Sequence, residues 1–323
     1  MIFKSLQDFV RQESSQGSFG GVALTIGNFD GCHLGHRALI VRSIQMARSE
    51  GLRSAVMTFD PHPEVFFGRL PGGRLLFTAE QKIEALSALG VDGVIVQSFD
   101  QAFALKTASE FALGLIETRP PVRVVTIGSN FHFGAKRSGN AAILEQILSP
   151  LGVKIDVADL SDETGSPISS SRIRDMLTSG RVGEAQKLLG APYRIVGRVK
   201  HGDKVGRTIG VPTANLGDVT QLLPGNGVYA VKVSTLPHRQ NSIPESSMVG
   251  CGVCNIGTRP TVGGAELRTE VHILDRKNLD LYDRQLTVQF VARLRDERRF
   301  AGVEELKLQI AADITEARQR FSR

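Results

Sequence analysis

From Val22 to about residue 160 the chain alternates short apolar runs with polar-capped segments, and that rhythm permits few folds. Val22–Ile26, residues 54–59, residues 93–99, Val122–Gly128 and residues 153–160 read as strands. Between them, Thr78-Ala-Glu-Gln81 and Thr107-Ala-Ser-Glu110 have capping-box spacing, in which a threonine hydroxyl and a Glu or Gln side chain satisfy reciprocal backbone N–H groups. A helix beginning near Leu34 stops at Gly51, another ends at Gly90, and a weaker one covers residues 140–148. Glycine suits the position after a helix because it tolerates positive φ. Strands that are apolar nearly throughout, joined by helices, pair in parallel with both faces covered. The expected class is therefore α/β, a doubly wound Rossmann-like sheet. Ligands of such open sheets bind beyond the carboxyl ends of the strands. The turns after residues 26, 59 and 128 all lie there.

The first of these turns reads GNFDGCHLGHR, residues 27–37. His33 and His36 stand three apart at a helix start, where they share a face. Free backbone N–H groups make a helix N-terminus favourable for anions, and Gly35 lets a polyphosphate approach closely. The same residues also suit an ordinary βα turn with two surface histidines. Further on, ISSSRIR (residues 168–174) places serines at a helix start and Arg174 a turn later. That pattern is either a well-capped helix or a phosphate grip, since a guanidinium binds phosphate bidentately. Gly202-Asp-Lys204-Val-Gly206-Arg-Thr208 imitates a P-loop but is one residue short, with Arg in place of Lys.

After Pro192 the helical pattern stops. Strand-like runs at residues 193–199, 227–233, 248–257, 268–275 and 285–294 are separated by Gly, Pro, Asn and Asp. Five or six such strands predict an antiparallel β-barrel. A final helix over about residues 303–320 carries Leu306, Ile310, Ile314 and Ala317 at helical spacing. The reading therefore gives two domains, 1–188 and 189–323. In the second, Gly210-Val-Pro-Thr-Ala-Asn215 sets a hydroxyl (Thr213) and an amide (Asn215) on one side of an extended segment. They are either turn-capping groups or oxygen ligands of the kind magnesium takes. Glu270 lies in a run with Thr269, Val271 and Ile273, one face of which is core. It is either an exposed edge carboxylate or a placed base.

Composition removes several classes of function. With 41% hydrophobic and 22% charged residues among 323, the chain can build real cores. No run approaches the ~18 apolar residues of a membrane span. The opening MIFKSLQDFVRQESS has no signal-peptide core, so a cytoplasmic location is expected. Three cysteines make no disulfide framework, and Cys251-Gly-Val-Cys254 lacks a second pair to complete a zinc site. The net charge of +6 and pI near 9.4 suit anionic partners, but the charge is dispersed rather than gathered with aromatics.

GNFDGCHLGHR, TFDPHP (residues 58–63), GSNFHFG (128–134) and ISSSRIR together resemble the N-terminal half of prokaryotic bifunctional riboflavin kinase/FAD synthetases. GRVKHGDKVGRTIGVPTANL, GVYAVKV, NIGTRPTVGG, TEVHILD and LRDERRF resemble the riboflavin kinase module in order and spacing. The resemblance implies a Rossmann-like nucleotidyltransferase domain followed by a riboflavin-kinase-like barrel. It implies ATP-dependent phosphorylation of riboflavin to FMN in the second, and adenylylation of FMN to FAD with release of pyrophosphate in the first. Glu270 would be general base, with Thr213 and Asn215 holding Mg2+ and the phosphates; Gly202, Lys204 and Gly210 would lie over the nucleotide. In the first domain His33 and His36 would contact the phosphates of a second ATP. Gly27, Phe29, Asp30 and Gly35 would line that nucleotide site, and Ser170, Ser171 and Arg174 would hold the β- and γ-phosphates. His62, Asn130, Phe133 and Arg295 would be flavin-side residues. The implied partners are riboflavin, FMN and ATP, without nucleic acid or membrane, for a monomer or weak homo-oligomer.

Three positions depart from the resembled pattern. Cys32 precedes the first histidine, Asp283 stands where glycine is frequent, and Asn130 where some relatives have Asp. Two other readings fit parts of the chain. One is an adenylyltransferase for a nicotinate or pantetheine ester with a degenerate second domain, which the intact PTAN and Glu270 oppose. The other is a basic nucleic-acid-binding regulator, which the dispersed charge opposes.

Overall fold

The computed structural model describes every residue except 71–73, 160, 163–164, 202–209, 236–247, 262–263, 277–278 and 323. The chain divides into two compact units, Met1–Ser170 and Ser171–Arg323.

The first unit is built on β1 (Ile2–Phe3), β2 (Val22–Ile26), β3 (Arg53–Asp60), β4 (Gly93–Ser98), β5 (Val122–Gly128) and β6 (Lys154–Ala158). Its helices are α1 (Leu6–Ser14), α2 (Leu34–Ser49), α3 (Pro63–Phe66), α4 (Ala79–Ser87), α5 (Gln101–Ala104), α6 (Ala108–Gly114) and α7 (Ala141–Leu148). The strands run in the order β1-β4-β3-β2-β5-β6, and every pair is parallel. All five residues of β2 are buried, as a central strand covered on both faces requires. Period-two alternation splits the core. Ala55, Met57 and Ile95 face a cluster with Leu24, Phe111 and Leu144, while Val56 and Val94 face Ile40, Ile44 and Leu86. Both expected capping boxes form, at Thr78 with Gln81 and at Thr107 with Glu110.

The N-terminal segment adds two elements that periodicity does not reveal. β1 extends the sheet beside β4, and α1, capped by the Ser5 hydroxyl, buries Leu6, Phe9 and Val10. Phe9 packs where Gly93 has no side chain; a Cβ there would meet its ring at 2.5 Å. Burying that ring contributes about 2–3 kcal/mol.

The second unit opens with α8 (Ser170–Thr178), whose first residue closes the first unit, and with α9 (Val182–Leu189), which stops at Gly190 in the left-handed region. The strands β7 (Arg194–Lys200), β8 (Ala214–Gly217), β9 (Gly227–Thr235), β10 (Met248–Thr261), β11 (Gly264–Ile273) and β12 (Gln285–Arg295) close a barrel in the order β10-β11-β8-β7-β12-β9. All its pairs are antiparallel. The sixth strand, β8, lies in a segment that reads only as extended from sequence. α10 (Val303–Phe321) packs Ile314, Ala317 and Phe321 against Ala230 and Leu274 of the barrel wall. Asp283, one of the departures noted above, adopts φ +58°, so an Asp occupies the left-handed turn position that glycine favours. No helix among the described residues is long and apolar enough to cross a membrane.

Candidate active sites

The turn after β2 is strained in a way that fixes two imidazoles. Phe29, Gly31 and Cys32 have φ of +52°, +81° and +39°. For the two non-glycine residues such values cost about 1–3 kcal/mol each and persist only where the surroundings over-determine them. The surroundings do so here. The Phe29 ring lies over Gly27, where a Cβ would come within 2.8 Å of it. The Asp30 carboxylate accepts the Leu76 N–H at 3.0 and 3.1 Å and the Phe77 N–H at 3.1 Å. The Thr58 hydroxyl donates to the Asn28 carbonyl at 3.1 Å, and the Ser170 hydroxyl to the Asp30 carbonyl at 2.8 Å. Phe29 and Asp30, both buried, thus stand as scaffolding beneath the turn.

The scaffold leaves His33 as N-cap of α2. Its Nδ1 accepts the His36 N–H at 3.3 Å, so the neutral ring carries its proton on Nε2. The two rings stack 3.5 Å apart at 16°, and Phe29 meets His36 edge-on. Burial lowers the His33 pKa to about 4. His36 is pushed well below its ordinary value, first by burial and then by His33. The pair therefore presents neutral rings with N–H donors at a helix start rather than two cations. The buried His36 Nδ1 has no hydrogen-bond partner among the described residues. Gly35 is buried in the same first turn. Cys32 closes the turn and its carbonyl accepts the Arg37 Nε–H at 2.9 Å; burial pushes its thiol up to about 11, which leaves it protonated and inert at neutral pH.

These shifts carry a sign for stability. The unfolded chain takes up protons on these histidines near pH 6.5, before the folded chain does. The His33 contribution is present above pH 6.5 and is lost as pH falls towards about 4, and that of His36 is lost in the same direction. The thermal unfolding midpoint should therefore decline across that window more steeply for wild type than for a His33→Asn/His36→Asn variant. Equal slopes would show that neither histidine is held neutral.

A residue that the sequence does not single out joins this turn to the next. Lys82, buried on α4, donates from Nζ to the Phe59 carbonyl at 2.9 Å. Burial lowers its pKa, and the neighbouring Asp30 and Asp60 oppose that. In sequence it is one more lysine on an amphipathic helix, so only folding gives it a place. In the following turn His62 is buried as N-cap of α3, with Nδ1 accepting the Glu64 N–H at 3.1 Å. Asn130 is exposed, and its carbonyl accepts from His132 Nδ1 at 2.9 Å. Phe133 is buried against Gly139 and Phe111, while half-buried Phe131 stacks on it at 5.6 Å. Ser171 is exposed and Arg174 buried in the first two turns of α8.

In the second unit the barrel register assembles the polar residues. Thr269, Val271 and Ile273 point into the core, which leaves Glu270 and His272 half-buried on the outer face. Glu270 is paired with Asn215 of β8 on one side and with Asn255 of β10 on the other. Asn215 in turn pairs with Lys200 of β7. One rung across four strands thus holds a cation, two amides and a carboxylate. Just before β9, Asn226 donates to the Thr258 hydroxyl at 2.9 Å and to Glu297 at 3.1 Å. Thr213 is half-buried just before β8, and Gly210 is exposed at φ +82°. Gly202 and Lys204 lie outside the described residues. Arg295 is bound elsewhere: its Nε donates to Asp313 of α10 at 2.9 and 3.2 Å, and its Nη2 at 2.9 Å. No group of three or more His, Cys, Asp or Glu residues gathers as a metal cage among the described residues.

Two family models cover most of the chain: FAD synthetase matches residues 15–172, and riboflavin kinase matches residues 189–321. The chain is also 41% identical to the bifunctional riboflavin kinase/FMN adenylyltransferase of Escherichia coli K12, over 95% of each chain. The chain belongs to that family. Bifunctional riboflavin kinase/FMN adenylyltransferases of Haemophilus influenzae and Pseudomonas fluorescens are each 39% identical, covering 94% and 92% of the chain. They cover 95% and 92% of those relatives' own length. A crystal structure from Streptococcus pneumoniae, titled a macrolide-efflux protein, is 29% identical with a TM-score of 0.76 over 98% of each chain. The two family matches follow the change from parallel α/β sheet to antiparallel barrel, so membership and architecture agree.

Proposed function

We propose that the family's two reactions are divided between the two polar sites, with kinase chemistry on the Glu270 rung and adenylyl transfer at the His33–His36 turn. The carrying observation is that Glu270 and Asn215 share one rung of the barrel, in a different compact unit from the stacked histidines. The kinase domain is taken to begin at residue 189 and the adenylyltransferase domain to end at 188. Glu270 accepts the proton of the riboflavin 5′-hydroxyl as that oxygen attacks the γ-phosphorus of ATP. The bond from γ-phosphorus to the bridging oxygen breaks, giving FMN and ADP.

The hydroxyl of Thr213 and the side-chain carbonyl of Asn215 are hard oxygen donors suited to Mg2+, which takes few protein ligands and completes its shell with phosphates and water. The ion bound there would neutralise charge on the transferring phosphate. Gly202, Lys204 and Gly210 are assigned to the cover over the nucleotide.

FMN then needs no general base, because its phosphate is already an anion. A phosphate oxygen attacks the α-phosphorus of a second ATP, and the bond to the bridging oxygen breaks with pyrophosphate leaving. His33 and His36 steady the transferring and leaving charge through ring N–H groups. Gly35 permits close approach, and Gly27, Phe29 and Asp30 hold the turn in shape. Ser170, Ser171 and Arg174 are assigned to the β- and γ-phosphates. His62 and Asn130 are assigned to the flavin side. Phe133 backs it from the core, and Phe131 presents the ring face. For Arg295 the ion pair with Asp313 favours a positioning role, holding α10 to the barrel. Riboflavin, FMN and ATP are then the partners, with no nucleic acid or membrane required, for a cytoplasmic monomer or weak homo-oligomer.

The test is a time course on purified protein with riboflavin, ATP and magnesium, the products being resolved by chromatography. FMN should rise first and then fall as FAD accumulates with equimolar pyrophosphate. FAD formed from supplied FMN, with no FMN formed from riboflavin, would overturn the kinase assignment.

A further inference from the structure

The segment that carries Thr213 and Asn215 is held by the β8–β11 ladder for only part of its length. The pairs Thr269–Leu216, Glu270–Asn215 and Val271–Ala214 form, and there the ladder ends. The physical reason is Pro212. It has no N–H to donate, so the strand cannot extend through it. Without another tie, the residue between the ladder's end and the proline, Thr213, would have a loose backbone. The structure supplies one. His272 lies two residues beyond Glu270 on the same outer face, and its Nδ1–H donates to the Pro212 carbonyl at 2.8 Å. A side chain of β11 thus continues, by one bond, the tether that the backbone can no longer make.

We infer that His272 is a positioning residue for the kinase reaction, acting by fixing the Pro212–Thr213 peptide against the strand that carries Glu270. This rests on the reading of Glu270, Thr213 and Asn215 as the kinase site. The base and the phosphate-holding groups then share one frame, β11, and their separation is set on both sides of Thr213: by the Asn215–Glu270 rung and by the His272–Pro212 bond. Positional errors of this kind are costly for a reaction that depends chiefly on alignment and charge stabilisation.

The atom used gives the test its specificity. An asparagine side chain sets its amide nitrogen where histidine has Nδ1, whereas glutamine reaches towards Nε2. Riboflavin phosphorylation and FMN adenylylation are measured on the full chain carrying His272→Ala, His272→Asn or His272→Gln, with Glu270→Gln alongside. His272→Ala should lose about tenfold in kcat for phosphorylation, with an increase in KM for ATP, on the scale of one hydrogen bond. KM for riboflavin and the rate of FMN adenylylation should stay at wild-type values. His272→Asn should recover most of the loss and His272→Gln little of it. Wild-type phosphorylation by His272→Ala, equal rescue by Asn and Gln, or a parallel loss of both activities would each overturn the inference. If Glu270→Gln itself retains phosphorylation, the site reading fails and the inference falls with it. If Glu270→Gln is inactive and His272→Ala is not, only the tether is wrong.

Discussion

Glu270→Gln is expected to slow riboflavin phosphorylation by about 10²–10⁴-fold, the contribution of a positioned general base, while FMN adenylylation proceeds at the wild-type rate. Glutamine is isosteric and Glu270 faces outward, so the buried side of β11 and its ladder are untouched. The amide cannot accept a proton from the 5′-hydroxyl, which isolates the chemical role from packing. Initial rates of FMN formation from riboflavin, and of FAD formation from FMN, measure the two reactions separately on one preparation. Loss of both would mean that the sites are not independent.

His36→Ala should show the opposite selectivity. Removing one preorganised donor from a developing charge costs about 10²–10³-fold. Here the deletion also removes the ring on which His33 stacks at 3.5 Å and against which Phe29 packs edge-on. Adenylylation should therefore fall by the upper end of that range. Phosphorylation of riboflavin should be unchanged, because Glu270, Asn215 and Thr213 belong to the other compact unit. Retained kinase activity shows that the second unit is intact, and an unchanged thermal unfolding profile of the variant would show that the first unit has folded as well. Adenylylation that survived the substitution would remove His36 from the site.

Much of this architecture is local in origin, and local features are legible in sequence. Apolar strands without alternation, capping boxes four residues long and glycines after helices each depend on a few neighbouring residues. The parallel sheet, the barrel and the final helix follow from them. What escaped was of two kinds. β1 has two residues and β8 four, too short for a period to register; each is a strand only because a neighbour offers it a ladder. Other positions took a meaning that their residue type does not announce. Asp30 holds backbone N–H groups of residues 76 and 77, Lys82 is buried between two turns, and Arg295 is paired with Asp313 across to α10. Their partners lie 18 to 47 residues away in the chain, so no spacing rule could have paired them.

By itself the sequence determined the chemistry available: two histidines at a helix start, a hydroxyl and an amide after a proline, and a carboxylate on a half-core strand. Those are properties of residue type and short spacing. Only the tertiary structure decided what state and company each group keeps. Burial, and for His36 also the neighbouring His33, makes the two histidines neutral donors, because a desolvated imidazole gives up its proton. The β8–β11 register sets Glu270 beside Asn215, residues that are far apart in the chain, because antiparallel pairing fixes which side chains meet across a ladder. The proline that shapes the PTAN segment also ends that ladder, and His272 takes over where it stops.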